Sequence, residues 1–160
     1  FAASKAMASA LTAFRSEELM IPTQNFINYF NVGITMFRSL FCIGAGSFAG
    51  GIARYLISKA IESGNQTVVP FGTMTVNVLG CLLIGLLYGV LERYDLLDSN
   101  WQLFLIVGFC GGFTTFSTFI NENYNLFNQA NFLHFALYPL CSFGLGLIAL
   151  YIGRMAIKLI

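Results

Sequence analysis

The sequence predicts an all-α membrane protein of four transmembrane helices with a break in the third, and three observations carry that reading. Only 9% of the 160 residues are charged, against roughly 25% in an average soluble domain. With 57% hydrophobic residues and a mean hydropathy of +0.74, there is more apolar surface than one small core can hide from water. Finally, the charged positions leave four long uncharged gaps, at 39–53, 63–91, 99–121 and 123–153.

A spanning helix needs about 20 mainly apolar residues to cross a hydrocarbon core of about 30 Å. The last three gaps reach that length unaided. The first does so only by running past Arg54 toward Ile57, with the arginine near the helix end, where it snorkels or finds a partner. Helices are therefore expected near 38–60, 69–91, 101–125 and 132–158, joined by polar connections at 61–68, 92–100 and 126–131. Gly64-Asn65 and Asp98-Ser99-Asn100 supply turn material. An even number of spans places both termini on one side. Arg38, Arg93, Arg154 and Lys158 then face Arg54 and Lys59 across the bilayer, a bias thin enough for insertion in both directions.

In the first, second and fourth spans, small residues recur every four positions: Gly46 with Gly50, Cys81 with Gly85 and Gly89, and Ser142 with Gly146. This spacing lets helix backbones approach closely. The third span differs. Its run from Gly108 to Phe119 places three glycines and four hydroxyl residues in mid-membrane, and an interruption of the helix is expected there. In lipid such a break is tolerated only where the freed backbone groups are buried, wet or bound to an ion. The alternative is a continuous helix whose Ser and Thr side chains bond back to the preceding turn.

Polar residues in the other spans narrow the chemistry. Asn77 sits mid-way along the second span, and its spacing alone slightly favours interhelical hydrogen bonding over lining a path. Tyr138 and Ser142 are one turn apart on one face of the fourth span, continued by Gly146. Glu122 is the only acid close to the hydrophobic zone, so transport driven by a central carboxylate is disfavoured. The formal net charge of +1 lacks the basic field of a nucleic-acid binder. The sole histidine, His134, excludes a cofactor held by two histidines of one chain. Cys42, Cys81, Cys110 and Cys141 lie in apolar runs without metal-ligand spacing, and no nucleophile with a base or nucleotide loop is evident, so no enzyme is expected.

Three stretches carry a resemblance: Gly50-Gly51-Ile52-Ala53-Arg54-Tyr55, Pro70 to Gly80 with Asn77 inside it, and Gly108 to Phe119. Together, in this order and separation, they closely resemble the CrcB/Fluc fluoride channel family, with similarity across roughly 38–160. The resemblance implies an antiparallel, dual-topology homodimer with two separate fluoride pores along its interface, in a bacterial inner (plasma) membrane. It implies that Phe116 and Phe119 present ring edges to fluoride, that Asn77 donates a hydrogen bond, and that Tyr138 and Ser142 belong to a polar track. Gly111 and Thr114 would give backbone carbonyls from both subunits to one structural Na⁺. Residues 36–160 are then the channel domain. Residues 1–35 have no counterpart in the usual family pattern and read as a non-essential extension, with Met36 a natural start and a targeting peptide the alternative.

The chemistry is consistent with those roles. Fluoride is small and tightly hydrated, so a pore must replace its water with donors, yet a ring of full positive charges would hold it too strongly to conduct. The Asn77 amide and the hydroxyls of Thr118, Tyr138 and Ser142 are neutral donors, and an aromatic ring is positive at its edge. Without the motif, Phe116 and Phe119 would read as core packing, since the chain has 17 Phe. Carbonyl oxygens are hard ligands suited to an alkali cation, and Arg54 supports a helix end or a vestibule. Two other classes compete. A small dual-topology multidrug-type transporter should carry an acid in the middle of its first helix, and Leu40–Ala53 contains none. A non-catalytic membrane assembly subunit leaves Asn77, Tyr138 and Ser142 without a reason.

Overall fold

The computed structural model describes residues 2–64, 67–94 and 99–159, and all of its regular structure is helical. In chain order the elements are α1 (Ala2–Gly64), α2 (Phe71–Tyr94), α3 (Ser99–Gln102), a π-helical segment (Leu103–Cys110), α4 (Gly111–Phe113), α5 (Phe116–Asn128) and α6 (Phe132–Leu159). Four stretches are long and apolar enough to cross a membrane: Ile27–Gly64, Phe71–Arg93, Asn100–Asn128 and Phe132–Leu159. Between α4 and α5 the backbone is extended at Thr114 (φ −87°, ψ 156°) and Thr115 (φ −146°, ψ 125°).

Element ends differ from the charge-delimited spans by a few residues. Helix continues to Gly64 and to Asn128 because hydrogen-bonded turns persist in water beyond the apolar stretch that charges mark out. Ser99 and Asn100, expected as turn residues, open α3 instead; their neighbour Asp98, and Asn65 of the other expected turn, lie outside the described residues.

The chain divides into two compact units, 1–40 and 41–160. In the first, Thr35 and Ser39 donate their hydroxyls to the carbonyls of Asn31 and Thr35, each at 2.9 Å. The second unit contains the rest of the fold. Its core includes Val76, Cys110, Phe113, Phe119, Leu126, Tyr138 and Ala149, together with Thr73.

Glycines set the helix contacts of that unit. A Cβ on Gly46 would strike the Phe104 carbonyl oxygen, and one on Gly50 the Phe109 carbonyl oxygen. From the other side, Gly108 and Gly112 meet Ile43 and Ser47 in the same way, at 2.8 and 2.5 Å from the carbonyl oxygens. The stretch 43–50 therefore lies backbone to backbone along 104–113, in the same direction. The second contact joins α2 and α6. Gly85 abuts the Leu150 carbonyl, Gly89 lies 2.9 Å from Ile157 Cβ, and Gly153 lies 2.5 Å from the Leu82 carbonyl oxygen, distances taken from the Cβ each glycine lacks. The paired positions rise together along both helices, so α2 and α6 are parallel. Arg154 and Glu92 form an ion pair at their far end.

The α5–α6 connection is a Schellman cap. Asn131 N–H donates to Leu126 O and Ala130 N–H to Phe127 O, both at 3.0 Å, an arrangement that places the intervening residue in the left-handed region. That residue is Ala130, at φ 56°, where glycine would carry no Cβ penalty. Ala130→Gly should accordingly stabilise the fold by about 1 kcal/mol, seen as a higher thermal unfolding midpoint in detergent.

Candidate functional site

The extended pair is held by specific bonds. Thr114 N–H and Thr114 Oγ1 both donate to Cys110 O, at 3.0 and 2.9 Å, closing α4. Thr115 then turns its backbone toward α2. Its N–H donates to Asn77 Oδ1 at 2.8 Å, and its carbonyl accepts from Asn77 Nδ2 at 3.1 Å. The side-chain amide of Asn77 thus mimics the neighbouring strand of a sheet and satisfies both backbone groups of one residue. Thr115 Oγ1 caps α5 by accepting from Thr118 N–H at 3.4 Å, and it donates to Thr118 Oγ1 at 3.0 Å.

These bonds redirect two donors. In a continuous α-helix the N–H groups of Thr115 and Thr118 would donate to the carbonyls of Gly111 and Thr114. Here Asn77 and the Thr115 side chain take them. Gly80 makes room for the arrangement, since a Cβ there would collide with Thr114 Cγ2. Gly111 is exposed, with nothing within 4 Å of the position its Cβ would occupy.

Beside the pair lies a cleft of ≈ 250 Å³ between α2, α5 and α6. Asn77, Cys81, Thr115, Phe116, Phe119 and Ser142 line it. Phe119 is buried, whereas Phe116 is 69% exposed, and their ring centroids are 6.2 Å apart. Phe143 meets the Phe119 ring edge-on, with centroids 6.1 Å apart and an interplanar angle of 86°. Ser142 Oγ is buried and has no hydrogen-bond partner among the described residues.

One turn earlier on α2 and α6 the chemistry changes. Thr73 Oγ1 donates to Glu122 Oε1 at 2.6 Å and Tyr138 OH donates to Glu122 Oε2 at 2.8 Å. Tyr138 is buried, and its ring lies 4.9 Å from that of Phe119. The structure thus joins Tyr138 to the Phe119 side of the cleft through its ring, while its hydroxyl points to Glu122. Arg54, expected at a vestibule or helix end, is half-buried, and its Nε has no hydrogen-bond partner among the described residues. Thr73 was not evident in the sequence, and the spacing that favoured interhelical hydrogen bonding for Asn77 did not identify the Thr115 backbone as its partner. For Thr73 the available signal was its position one turn before Asn77; for Thr115 it was the capping pattern Thr115-x-x-Thr118.

Comparison with known proteins adds an independent line. The model of the family described as CrcB-like protein, Camphor Resistance (CrcB), matches residues 41–154. A protein of Flavobacterium psychrophilum named fluoride-specific ion channel FluC is 40% identical over 121 residues, covering 76% of this chain and 98% of the relative. Proteins of the same name from Prosthecochloris aestuarii and Alteromonas mediterranea are 44% and 42% identical. Their alignments cover 73% and 76% of this chain, and 91% and 94% of the relatives.

The bonding pattern separates two kinds of residue in the cleft. Asn77→Leu strips partners from two backbone groups and should cost about 2–6 kcal/mol, at about 1–3 kcal/mol for each unsatisfied group. Ser142→Ala removes a hydroxyl that has no partner and should leave stability unchanged or slightly raised. Unfolding of both variants in mixed micelles checks the contrast.

Proposed function

This chain belongs to the CrcB-like family, and we propose that it is a fluoride-selective passive channel whose ions pass through the cleft beside Thr114 and Thr115. It is an integral, multi-pass membrane protein and not an enzyme. The observation that carries the reading is the convergence, in one cleft between membrane helices, of neutral donors and phenylalanine rings with no ionised side chain among its lining residues. The names of its relatives supply the ion.

Each group has a role that its bonding permits. Asn77 commits its oxygen and one N–H to Thr115, and its second N–H is the donor for fluoride. Ser142 contributes the hydroxyl that has no partner among the described residues. Thr118 accepts from Thr115, which leaves its own proton to donate. Between these stations Phe116 and Phe119 offer ring edges, which attract an anion weakly. Weak sites between stronger ones suit conduction, because an ion must leave as readily as it enters. Tyr138 acts through Glu122. With Thr73 it occupies both carboxylate oxygens with hydroxyl donors, which damps the repulsion that the acid would exert on fluoride.

The extended pair is the interruption of the third span in this reading. It releases the Gly111 and Thr114 carbonyls from their helical donors, which fits them to a structural Na⁺. When bound, that ion supplies a fixed positive charge that ties two third spans together. The exposed Gly111 and Phe116 lie on the face that a second, antiparallel copy would cover, giving a dual-topology homodimer with two pores. Arg54 supports the helix end near the vestibule. Residues 1–35 fall outside the family match and are dispensable for conduction.

Fluoride efflux from liposomes, followed with a fluoride electrode beside a chloride control, tests the proposal. Fast release selective for fluoride is expected without a proton gradient, and dependence on such a gradient would overturn the channel reading. Ser142→Ala should slow efflux roughly ten- to hundredfold, the factor implied by about 1.5–3 kcal/mol for a hydrogen bond to a charged group. Phe119→Ile should also impair efflux while the protein keeps its oligomeric size. Deletion of residues 1–35 should leave the rate unaltered.

A further inference from the structure

Helices α2 and α6 run parallel, and Gly89 lies against Ile157 near the close of both. Their last turns therefore share one level, where the spanning stretches Phe71–Arg93 and Phe132–Leu159 end. Charge gathers there. Among the described residues Arg93, Arg154 and Lys158 meet a single acid, Glu92; Asp95 and Asp98 lie outside the described residues. Gly89, Glu92, Arg93 and Lys158 line a pocket of ≈ 210 Å³ at this end.

The bonding of the three cations is uneven. Arg154 engages both Glu92 oxygens, through Nη2 to Oε1 and through Nε to Oε2, and so meets the one negative charge. Arg93 Nη1 donates to Ile157 O at 2.6 Å, which fixes the guanidinium against the last turn of α6, where a cation also opposes the negative helix end. Lys158 has no such engagement. Its Nζ is 3.8 Å from Glu92 Oε2, beyond hydrogen-bond length, and about half of its side chain is exposed. The pocket thus presents a fixed guanidinium and an ammonium without a hydrogen bond among the described residues, beside an acid that a third cation already holds.

We propose that this pocket holds the phosphate of an anionic phospholipid headgroup, with Lys158 and Arg93 as its donors. A phosphate diester offers oxygens both to a guanidinium fork and to an ammonium point charge. The pocket lies where the apolar stretches end, which is the depth of the headgroups, and basic pockets between membrane helices at that depth suit anionic lipids. A zwitterionic choline headgroup suits it less, because its own cation would meet Arg93 and Lys158. Asn77 of the cleft is more than three helical turns from Gly89 along α2, so the site is separate from the ion path and does not rest on it. The competing account is that these cations serve only Glu92 and the helix ends.

Native mass spectrometry of the full chain, released from micelles containing equal amounts of phosphatidylglycerol and phosphatidylcholine, distinguishes the two. The unsubstituted protein should retain phosphatidylglycerol in preference to phosphatidylcholine. Lys158→Gln and Arg93→Gln should each weaken that retention about fivefold, and Lys158→Arg, which keeps the charge, should preserve it. Lys59→Gln should leave it unchanged, since Lys59 stands near the opposite end of α2, where Ser58 and Glu62 meet Gly72. Equal retention of the two lipids overturns the proposal, as does retention undiminished in Lys158→Gln. A loss in Lys59→Gln as large as in Lys158→Gln also overturns it, because it marks diffuse attraction between basic residues and anionic lipid. Inorganic phosphate that displaces phosphatidylglycerol assigns the pocket to free phosphate and overturns the lipid as its occupant. Gel filtration confirms that each variant keeps its oligomeric size, and should Arg93→Gln lose it, the comparison of Lys158→Gln with Lys158→Arg decides. Fluoride efflux is not the readout, so failure of the channel reading and failure of this proposal are told apart.

Discussion

The two hydrogen bonds between the Asn77 amide and the backbone of Thr115, at 2.8 and 3.1 Å, are the constraint on which the site depends. In hydrocarbon a backbone can leave the helix only where its polar groups find other partners. Thr115 is extended in the middle of a span, and no helical neighbour can serve it. Asn77 serves both of its backbone groups from another helix. Thr114 returns to Cys110, and the Thr115 hydroxyl starts the next helix at Thr118. The new helical start in turn sets where Phe116 and Phe119 stand relative to α2.

That pairing requires α2 to bring the Asn77 amide within hydrogen-bond reach of the Thr115 backbone, about 2.7–3.2 Å, and glycines provide the placement. Gly85, Gly89 and Gly153 bring α2 and α6 into backbone contact, and Gly46, Gly50, Gly108 and Gly112 do the same for 43–50 against 104–113. Gly80 opens the one space on α2 into which the Thr114 methyl fits. Without a hydrophobic drive between helices inside lipid, close packing of this kind is a main source of association. Between these contacts a cleft remains where Asn77, Cys81 and Ser142 lie.

Much of this was legible in the sequence because it follows from one-dimensional quantities. The absence of charge over 63–91 and 123–153 marks α2 and α6, and four-residue glycine spacing marks their contact. The π-helical segment at Leu103–Cys110 was not legible, because an apolar run such as Leu-Phe-Leu-Ile-Val is equally compatible with an α-helical or a wider hydrogen-bond ladder. Partner choice was equally hidden. Spacing placed Tyr138 and Ser142 on one face but could not show that the first hydroxyl donates to Glu122 while the second has no partner. It also could not show that Asn77 pairs with a backbone rather than with another side chain. Such facts depend on which helices adjoin, and only the tertiary contacts determine that.

The contrast between those two hydroxyls bears on how an anion path tolerates an acid. Glu122 lies one turn from the cleft, and a carboxylate there would oppose an approaching anion. Both of its oxygens accept from hydroxyls, Thr73 on α2 and Tyr138 on α6, so part of its charge is met by donor dipoles fixed on two other helices. Tyr138 cannot give the same proton to the cleft. Ser142, one turn further along α6, has a proton with no acceptor among the described residues. A buried hydroxyl without a partner costs free energy, and among the described residues no hydrogen bond offsets that cost. The proposed path assigns the offset to the ion: the acid is held by one pair of hydroxyls, and fluoride is met by the next one along.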